Sequence, residues 1–370
     1  MFRRAYCWIV LFLFVSSFAR SAEDHSRRTP TLTPQTSGTS QGLIAVSPVT
    51  SRIVWASGRG GTFVVTTDGG KNWRSGVVPG AEALQFRDVQ GITDKIAYLM
   101  SIGDNPGDFR IYKTINGGAT WSLQFQNALV GAFYDCFAFW SPWRGIAHSD
   151  AVEQTFPDLR TRDGKNWRSI RNNMPPALPG EASFSSSGTC VATQGFFNAW
   201  IATGGSSTAR ILATRDGGFT WNAYDTPLVS SPSAGAFTVS FRDSRHGIVG
   251  GGDLDPANPN AAATAVSDDG GRTWELTNKP PVTGAIFGLS YTTSAGSFAW
   301  PDGDSFPFWR HDHDQTVVIT ANDGGAAWTP NEGRTWYPLT GVTGYWGVAF
   351  SNPRAGWLVG TEGRILKISF

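Results

Sequence analysis

An octapeptide that ends in tryptophan recurs along the chain, and it limits the folds that the chain can adopt. It is clearest as TTDGGKNW, TINGGATW, TRDGGFTW and SDDGGRTW, with a shortened copy TRDGKNW and a divergent copy TPNEGRTW. The final tryptophans are 46 to 62 residues apart, at Trp73, Trp121, Trp167, Trp221, Trp274 and Trp336. A persistent repeat of about 40 to 50 residues is typical of propellers and solenoids.

A second repeat consists of short apolar runs, which alternate with the octapeptides. The runs are GLIAV, LQFRDVQ, FYDCFAF, SGTCVAT, FTVSF, FGLSY and WGVAF. Short runs of this kind between Gly and Asn/Asp turns indicate antiparallel strands. Seven runs predict seven blades, whose innermost strands share one apolar position: Ile44, Val89, Cys136, Cys190, Val239, Leu289 and Val348.

The two ends of the chain complement each other. The last unit stops at Phe370 after about three strands, whereas TPTLTPQT (29–36) lies before the first inner strand, where every other unit has an outer strand. Closing the ring leaves no long unpaired strand edge. The sequence therefore predicts an all-β fold, a seven-bladed β-propeller of four-stranded antiparallel blades, closed by an N-terminal strand that completes the last blade.

The first 22 residues differ from the rest. Arg3 and Arg4 precede about a dozen apolar residues and then small residues, the pattern of a secretory signal peptide. This stretch is short for a membrane span, which needs about 18 or more apolar residues, and we expect no span elsewhere. We expect a signal peptide at residues 1–22, one propeller domain at 23–370, and a monomer exported to the periplasm or the extracellular space.

The net charge and the sequence motifs limit the kinds of partner and cofactor that we expect. The net charge is +1 and no basic stripe is visible, so we expect no nucleic-acid partner. No phosphate-binding loop, dinucleotide fingerprint or zinc-protease motif occurs, so we expect no cofactor. HDHD at 311–314 has metal-binding residue types without evident partner ligands, and a solvated loop is the favoured interpretation.

Two cysteines remain after removal of the signal peptide. In an oxidising compartment Cys136 and Cys190 can pair. They can equally be buried as two separate small apolar residues. The sequence leaves both alternatives open.

The residue types of the octapeptide suit a turn. Asp or Asn accepts hydrogen bonds from backbone N–H groups one and two residues ahead, the glycines supply positive φ, and the tryptophan buries a large face between sheets. We therefore predict structural roles for the six tryptophans and for the polar turn residues Asp68, Asn116, Asp163, Asp216, Asp269 and Asn331.

The motif SDDGGRTW resembles the Asp-box, or bacterial neuraminidase repeat, S-x-D-x-G-x-T-W. Asp-boxes occur in sialidases, sortilin-type receptors and photosystem II stability and assembly factors, between the third and fourth strands and away from the usual ligand face. GWLVGTEGRILK and ATRDGGFTW are most similar to the assembly-factor-like group. A sialidase is expected to carry Arg-Ile-Pro, but this tripeptide does not occur here; the Arg-Ile pairs at 52–53 and 110–111, for example, are followed by valine and tyrosine. The resemblance implies no typical sialidase.

Ligands of propellers usually meet the face where inner strands begin and where second and third strands are joined, which we call the mouth. Two carboxylates at a suitable separation can cleave a glycosidic bond, and His with Asp can act as acid and base. The catalytic candidates at the mouth are Asp88, Asp135, His148 and Asp150. The ligand-binding candidates are Arg59, Arg87, Glu181, Asp253, Tyr345 and Trp346, with Asp104 and Glu362 in the same loops.

Two functions follow from these candidates. The first is an exported binding or assembly protein whose mouth engages a protein or a glycan. The alternative is a glycan-active enzyme, a hydrolase or a lyase, that uses the carboxylates at the same mouth. The carboxylates could also bind a cation or pair with arginines between blades. Because one fold hosts many activities, the geometry of the site has to decide.

Overall fold

The computed structural model describes residues 29–293 and 314–370. The first strand, β1 (Thr31–Thr36), belongs to the last blade, and the blades then follow in chain order. Blade 1 contains β2 (Leu43–Pro48), β3 (Val54–Gly58), β4 (Thr62–Thr66) and β5 (Arg74–Val77). Blade 2 contains β6 (Gln85–Gly91), β7 (Ala97–Ile102), β8 (Arg110–Thr114) and β9 (Ser122–Gln126). Blade 3 contains β10 (Tyr134–Ser141), β11 (Arg144–Ser149), β12 (Leu159–Thr161) and β13 (Trp167–Ser169).

The remaining blades repeat this order from the channel outwards. Blade 4 contains β14 (Val191–Gln194), β15 (Asn198–Thr203), β16 (Arg210–Thr214) and β17 (Asn222–Asp225). Blade 5 contains β18 (Ala234–Phe241), β19 (Gly247–Asp253), β20 (Ala263–Ser267) and β21 (Glu275–Leu276). Blade 6 contains β22 (Gly288–Tyr291), β23 (Val317–Thr320), β24 (Ala326–Thr329) and β25 (Tyr337–Pro338). Blade 7 contains β26 (Tyr345–Asn352), β27 (Ala355–Gly360), β28 (Arg364–Ser369) and β1.

The ring is closed by the N-terminal strand, as the sequence predicts. β1 pairs antiparallel with β28 over six residues, from Thr31 opposite Ser369 to Thr36 opposite Arg364. The side chain of Gln35 in β1 also accepts hydrogen bonds from two indole N–H groups, Trp357 in blade 7 at 3.2 Å and Trp73 in blade 1 at 3.1 Å. The N-terminal strand therefore fastens blade 7 to blade 1. The predicted seven-bladed propeller is confirmed.

Apolar side chains fill the space between neighbouring blades. All seven residues of the predicted inner-strand position are buried. Large aromatic residues add contact area between sheets, as where Trp200 of blade 4 stacks on Phe241 of blade 5 with ring centroids 3.6 Å apart. Cys136 and Cys190 form a disulfide, which links the inner strands of blades 3 and 4 near the channel. This decides between the two alternatives for the cysteines.

The inner strand of blade 4 differs from the prediction. A strand over 187–193 was expected, but β14 begins at Val191. The preceding residues 183–189, which we call the strap, turn away from the blade and cross towards blades 5 and 6. The Ser187 hydroxyl donates to the carbonyl of Phe287 at 2.5 Å, and the hydroxyls of Thr189 and Thr238 lie 2.7 Å apart. These bonds replace strand pairing in this segment.

Two predicted segments lie outside the described residues. The signal peptide at 1–22 is one of them. The other is the HDHD segment, of which only Asp314 is described. It belongs to the connection between β22 and β23, the first and second strands of blade 6.

Candidate functional site

A β-bulge at the start of the inner strand recurs in five blades and sets which side chain points into the mouth. In each case one residue of the inner strand has no partner on the second strand. A bulge re-aims the side chain of its extra residue and bends the strand. The five extra residues are Ile44, Arg87, Asp135, Phe237 and Trp346.

The bulges correct one sequence-based alignment. Asp88 and Asp135 were expected to share a position in successive blades. In the observed register, however, Asp135 corresponds to Arg87, whereas Asp88 corresponds to Cys136. The alignment is therefore displaced by one residue, and a displacement of one residue changes the side of the strand to which a side chain points. The two aspartates therefore have different surroundings.

Asp88 is buried and serves as a connector between blades 2 and 3. Its carboxyl group accepts hydrogen bonds from the N–H of Val89 at 2.7 Å and from the N–H of Phe137 in the next blade at 2.8 Å. The strap closes over it, since a Cβ on Gly188 would lie 2.4 Å from the carboxyl oxygen. Burial raises the pKa of this carboxyl well above its ordinary value. The side chain faces protein on all sides and has no access to a ligand.

Asp135 and Asp150 form a carboxyl pair. The two carboxyl groups are close neighbours, and the interaction between them shifts the pKa of both. Asp150 also accepts a hydrogen bond from the N–H of Ser183 in the strap at 2.8 Å. Burial, followed by the negative charge of Asp150, raises the pKa of Asp135 well above its usual range, and the Arg87 guanidinium opposes this rise. One oxygen of Asp135 is buried without a hydrogen-bond partner among the described residues.

His148 does not pair with Asp150, although their types suggested an acid and a base. The imidazole is fully buried, and its Nδ1 lies 3.0 and 2.9 Å from the two carboxyl oxygens of Asp158. Asp158 also accepts the N–H of Ser149 at 3.0 Å, and the imidazole packs against Phe156. The His148 side chain therefore orders the loop after β11 from within.

Glu181 and Asp253, two predicted ligand-binding carboxylates, have internal partners. Glu181 is buried, forms an ion pair with Arg210, and accepts the Thr203 hydroxyl at 2.6 Å and the N–H of Leu178 at 2.8 Å. Asp253 accepts the hydroxyl of Ser233 at 2.7 Å, together with the amide groups of residues 255 and 258 in its own loop. Both carboxylates therefore shape loops at the mouth.

The remaining candidates form an arc around the mouth, from blade 6 through blades 7 and 1 to blade 2. The Phe287 and Trp346 rings are 5.0 Å apart and half-buried. Tyr345 is the next residue of the arc. Burial raises the pKa of its hydroxyl, and the positive charge of the exposed Arg364 opposes this rise. We call these residues, together with two arginines of blades 1 and 2, the mouth arc: Phe287, Tyr345, Trp346, Arg364, Arg59 and Arg87.

The arginines complete the arc on blades 1 and 2. Arg59 is exposed. Arg87 is half-buried and donates to the strap carbonyl of Ser185 at 3.1 Å. Burial, followed by the positive charge of Arg59, lowers the pKa of Arg87. Asp104 and Glu362 are exposed, and Glu362 pairs with Arg364 at 2.7 Å.

The octapeptide turns lie at the other end of the ring, between third and fourth strands. In the first copy the Asp68 carboxylate accepts the N–H and the side-chain amide of Asn72, four residues ahead, and the Thr66 hydroxyl accepts the N–H of Gly70. The hydrogen bonds thus span more residues than expected, because the carboxylate closes the whole turn. The Asn72 backbone N–H, then its side chain, lower the pKa of Asp68 to about 2.

The tryptophans of the octapeptides pack between sheets. Trp121, in the copy of blade 2, lies edge-on to Phe63 and Trp55 of blade 1 at 5.1 and 6.3 Å. Trp121 thereby adds aromatic contact area between blades 1 and 2.

A group of cations at this end was missed by the sequence analysis. LRTRDGKNWRSIR has four arginines in thirteen residues, and this local density was the available signal. In the structure Arg160, Arg162 and Arg168 line a cavity of about 470 Å³ beside the shortened octapeptide. Arg160 and Arg162 lie 4.4 and 4.8 Å from the ring centre of the exposed Phe219.

The described residues contain neither a cluster of metal ligands nor a membrane-spanning helix. Within residues 29–293 and 314–370, no group of three His, Cys, Asp or Glu side chains is arranged to hold a metal ion. No helix in the same part of the chain is long and apolar enough to cross a membrane.

Comparisons with known proteins agree with this geometry. The family described as BNR/Asp-box repeat matches residues 265–276, and no curated protein matches the chain. Among solved structures, "YCF48 bound to D1 peptide" is 15% identical, with a TM-score of 0.61 over 92% of this chain and 97% of that chain. YCF48 from Cyanidioschyzon merolae is 15% identical, with a TM-score of 0.62 over 91% and 98%.

A third similar structure shows how widely this architecture is shared. The WD40 β-propeller domain of Doa1 is 12% identical, with a TM-score of 0.53 over 92% of this chain and 97% of that chain. Identities at this level establish the fold alone. YCF48 is a photosystem II assembly factor, which agrees with the group that the motifs resemble. This chain is a seven-bladed β-propeller that carries the BNR/Asp-box repeat.

Proposed function

We propose that this chain is an exported binding protein whose mouth holds a segment of a partner protein. The mouth arc carries the proposal, because bulges turn Arg87 and Trp346 towards the mouth beside the exposed Arg59. Tryptophan, tyrosine and arginine are the residues that dominate protein interfaces. Arginine also binds carboxylates with two parallel hydrogen bonds. The partner segment is therefore acidic and contains apolar side chains.

The alternative, a glycan-active enzyme, has less support. A glycosidase needs two carboxyl groups about 5 to 9.5 Å apart, with a sugar or water between them. Asp88 and Asp135 are instead both buried, and Asp88 is bonded to two backbone N–H groups. Neither carboxyl group is therefore presented to a sugar at the mouth. A glycan that binds without cleavage would use the same arc.

Two further observations support parts of the proposal. YCF48, which shares the fold, has been solved bound to a D1 peptide, so this architecture can hold a polypeptide segment. The disulfide between Cys136 and Cys190 is typical of oxidising compartments, which supports export together with the signal-peptide pattern at 1–22.

Peptide binding can be measured by fluorescence polarisation. Libraries of acidic and basic peptides of equal length, with the D1 peptide as one member, are titrated with the mature protein. We expect acidic peptides to bind and the double charge reversal Arg59→Glu/Arg364→Glu to abolish binding, because both side chains are exposed at the mouth. Arg354→Glu, in the turn between β26 and β27 at the far end of the ring, is the matched control and leaves affinity unchanged.

Two results would refute the proposal. One is equal binding of acidic and basic peptides, or equal affinity of the mouth variant and the control. The other is hydrolysis of a glycan in a substrate screen that disappears in Asp135→Asn, since that would make the carboxyl pair catalytic.

A further inference from the structure

Exposed apolar side chains cluster at the octapeptide end of the ring, on blades 2 to 4. Five of them are between 48% and 69% exposed, namely Ile115, Trp143, Phe196, Phe197 and Phe219. They come from different turns, either between first and second strands or at the octapeptides. Monomeric proteins rarely expose such clusters unless they bind a partner there.

Contacts between the turns place these side chains on one surface. The backbone of Phe197 accepts the N–H of Gly217 at 2.9 Å, which joins its turn to the octapeptide that carries Phe219. On the other side, Lys113 of blade 2 lies 5.6 Å from the ring of Trp143 in blade 3. These contacts connect turns of blades 2 and 3 with each other, and the two turns of blade 4 with each other, at one end of the ring.

Cations are interleaved with these aromatic rings. Arg144 lies 5.9 Å from the ring of Phe197, and Arg160 and Arg162 flank Phe219. No carboxylate in the described ranges forms an ion pair with these three arginines or with Arg168. Burial, followed by the positive charges of Arg162 and Arg144, lowers the pKa of Arg160. The arginines are thus crowded, and none of them has an ion-pair partner in the part of the chain that the structure describes.

The charge of this surface differs from that of the whole protein. It carries five cations, at positions 144, 160, 162, 165 and 168, against two octapeptide carboxylates, at 163 and 216. The chain as a whole has a net charge of only +1. Both octapeptide carboxylates are already bonded to N–H groups of their own turns. We call these cations and the five exposed apolar residues the basic aromatic face.

We propose that the basic aromatic face docks on an anionic lipid bilayer. Aromatic side chains at turn tips enter the headgroup region, while arginine and lysine pair with lipid phosphates. The cavity of about 470 Å³ is lined by Arg160, Arg162 and Arg168, and also by Asp163, whose carboxylate is bonded within its own turn. The three arginines outnumber this carboxylate, and a lipid phosphate would bind among them. Because the face lies at the end opposite the mouth, docking leaves the mouth arc open.

A bilayer fits this face better than an acidic protein. The apolar side chains stand on separate turns of three blades and follow no single groove. An extended peptide would contact only one row of them, whereas a planar surface contacts all of them together. An acidic protein therefore remains an outcome of the test.

The test is sedimentation of the mature protein with large vesicles in about 100 mM salt. Vesicles contain phosphatidylcholine alone or a 70:30 mixture with phosphatidylglycerol. We expect binding only to the mixture, weakened by added salt because the attraction is screened. Arg160→Gln/Arg162→Gln should lower the partition coefficient about 25-fold, at about fivefold for each cation. Phe196→Ser/Phe197→Ser should abolish binding at unchanged charge.

Matched controls locate the binding surface. Leu254→Ser removes an exposed apolar side chain near the mouth, and Arg354→Gln removes a cation from blade 7, across the ring. Both should bind vesicles like the wild type, and thermal unfolding should show that all variants fold. Equal losses in the controls would overturn the location. Failure to bind the mixture, or binding to soluble polyglutamate instead, would overturn the lipid assignment without affecting the peptide experiment at the mouth.

Discussion

Replacing Arg210 by methionine tests whether Glu181 is structural rather than ligand-binding. The Glu181 side chain is completely buried, and that of Arg210 is 11% exposed. Arg210→Met leaves a buried carboxylate without its counter-ion, and removing one partner of such a pair costs about 3 to 5 kcal/mol. Glu181→Leu should cost a similar amount, because Arg210 loses its partner and the Thr203 hydroxyl loses an acceptor.

The free energy of unfolding of the double variant shows whether the two side chains stabilise each other. In Arg210→Met/Glu181→Leu no buried charge is left unpaired. The Leu178 N–H loses its acceptor and the Pro176 carbonyl loses a donor, whereas the Thr203 hydroxyl keeps the backbone carbonyl of residue 210 as an acceptor. The loss should be at least about 2 kcal/mol smaller than the sum of the single losses. Unfolding in urea at pH 7, followed by tryptophan fluorescence, measures all three free energies.

The exposed pair Arg364–Glu362 is the matched control, with side chains 46% and 75% exposed. Its removal should change the free energy of unfolding by less than about 1 kcal/mol. Additive losses for the buried pair, within about 0.5 kcal/mol, would refute the reasoning. Glu181 would then be free to act as a ligand-binding group.

Three further predictions concern the disulfide, the octapeptides and the carboxyl pair. Cys136→Ala/Cys190→Ala opens a loop of sequence separation 54 and should cost about 4 kcal/mol in urea unfolding, with no further loss on adding reductant. Thr214→Val removes the acceptor of the buried Gly218 N–H and should cost about 1 to 3 kcal/mol, whereas the exposed Thr220→Val should cost less. Because the pKa of Asp135 is raised in the folded state, its contribution is complete below its unfolded pKa and is lost as pH rises through the folded value. Wild-type stability should thus fall with rising pH above about 4, and Asp135→Asn should flatten this dependence; an unchanged slope would contradict the burial of the pair.

The fold could be predicted because the same sequence repeat occurs in most blades. Six octapeptides and seven apolar runs specify blade number even where single copies are degenerate, as at TPNEGRTW. The bulges could not be predicted, because one inserted residue leaves the apolar pattern intact while changing which side chain faces the mouth. The sequence could not decide whether the two cysteines pair. Pairing depends on how close blades 3 and 4 bring them, and their Cα atoms are 5.9 Å apart.

The candidate site was predicted only in part. Residue type does not reveal that Asp88, His148 and Glu181 are buried and bonded to internal partners. Arg59 is exposed and Trp346 is only half-buried, so both side chains can contact a ligand. The arginines of blade 3 were overlooked because they flank an octapeptide that has a structural explanation of its own.

The central claim is that the two ends of the ring have different partners, and site-specific cross-linking tests it most directly. A photoreactive phenylalanine analogue is placed at Trp346 in the mouth arc or at Phe219 in the basic aromatic face. With an acidic peptide and anionic vesicles present together, position 346 should label the peptide and position 219 should label lipid. Peptide captured from position 219, with none from position 346, would contradict the account.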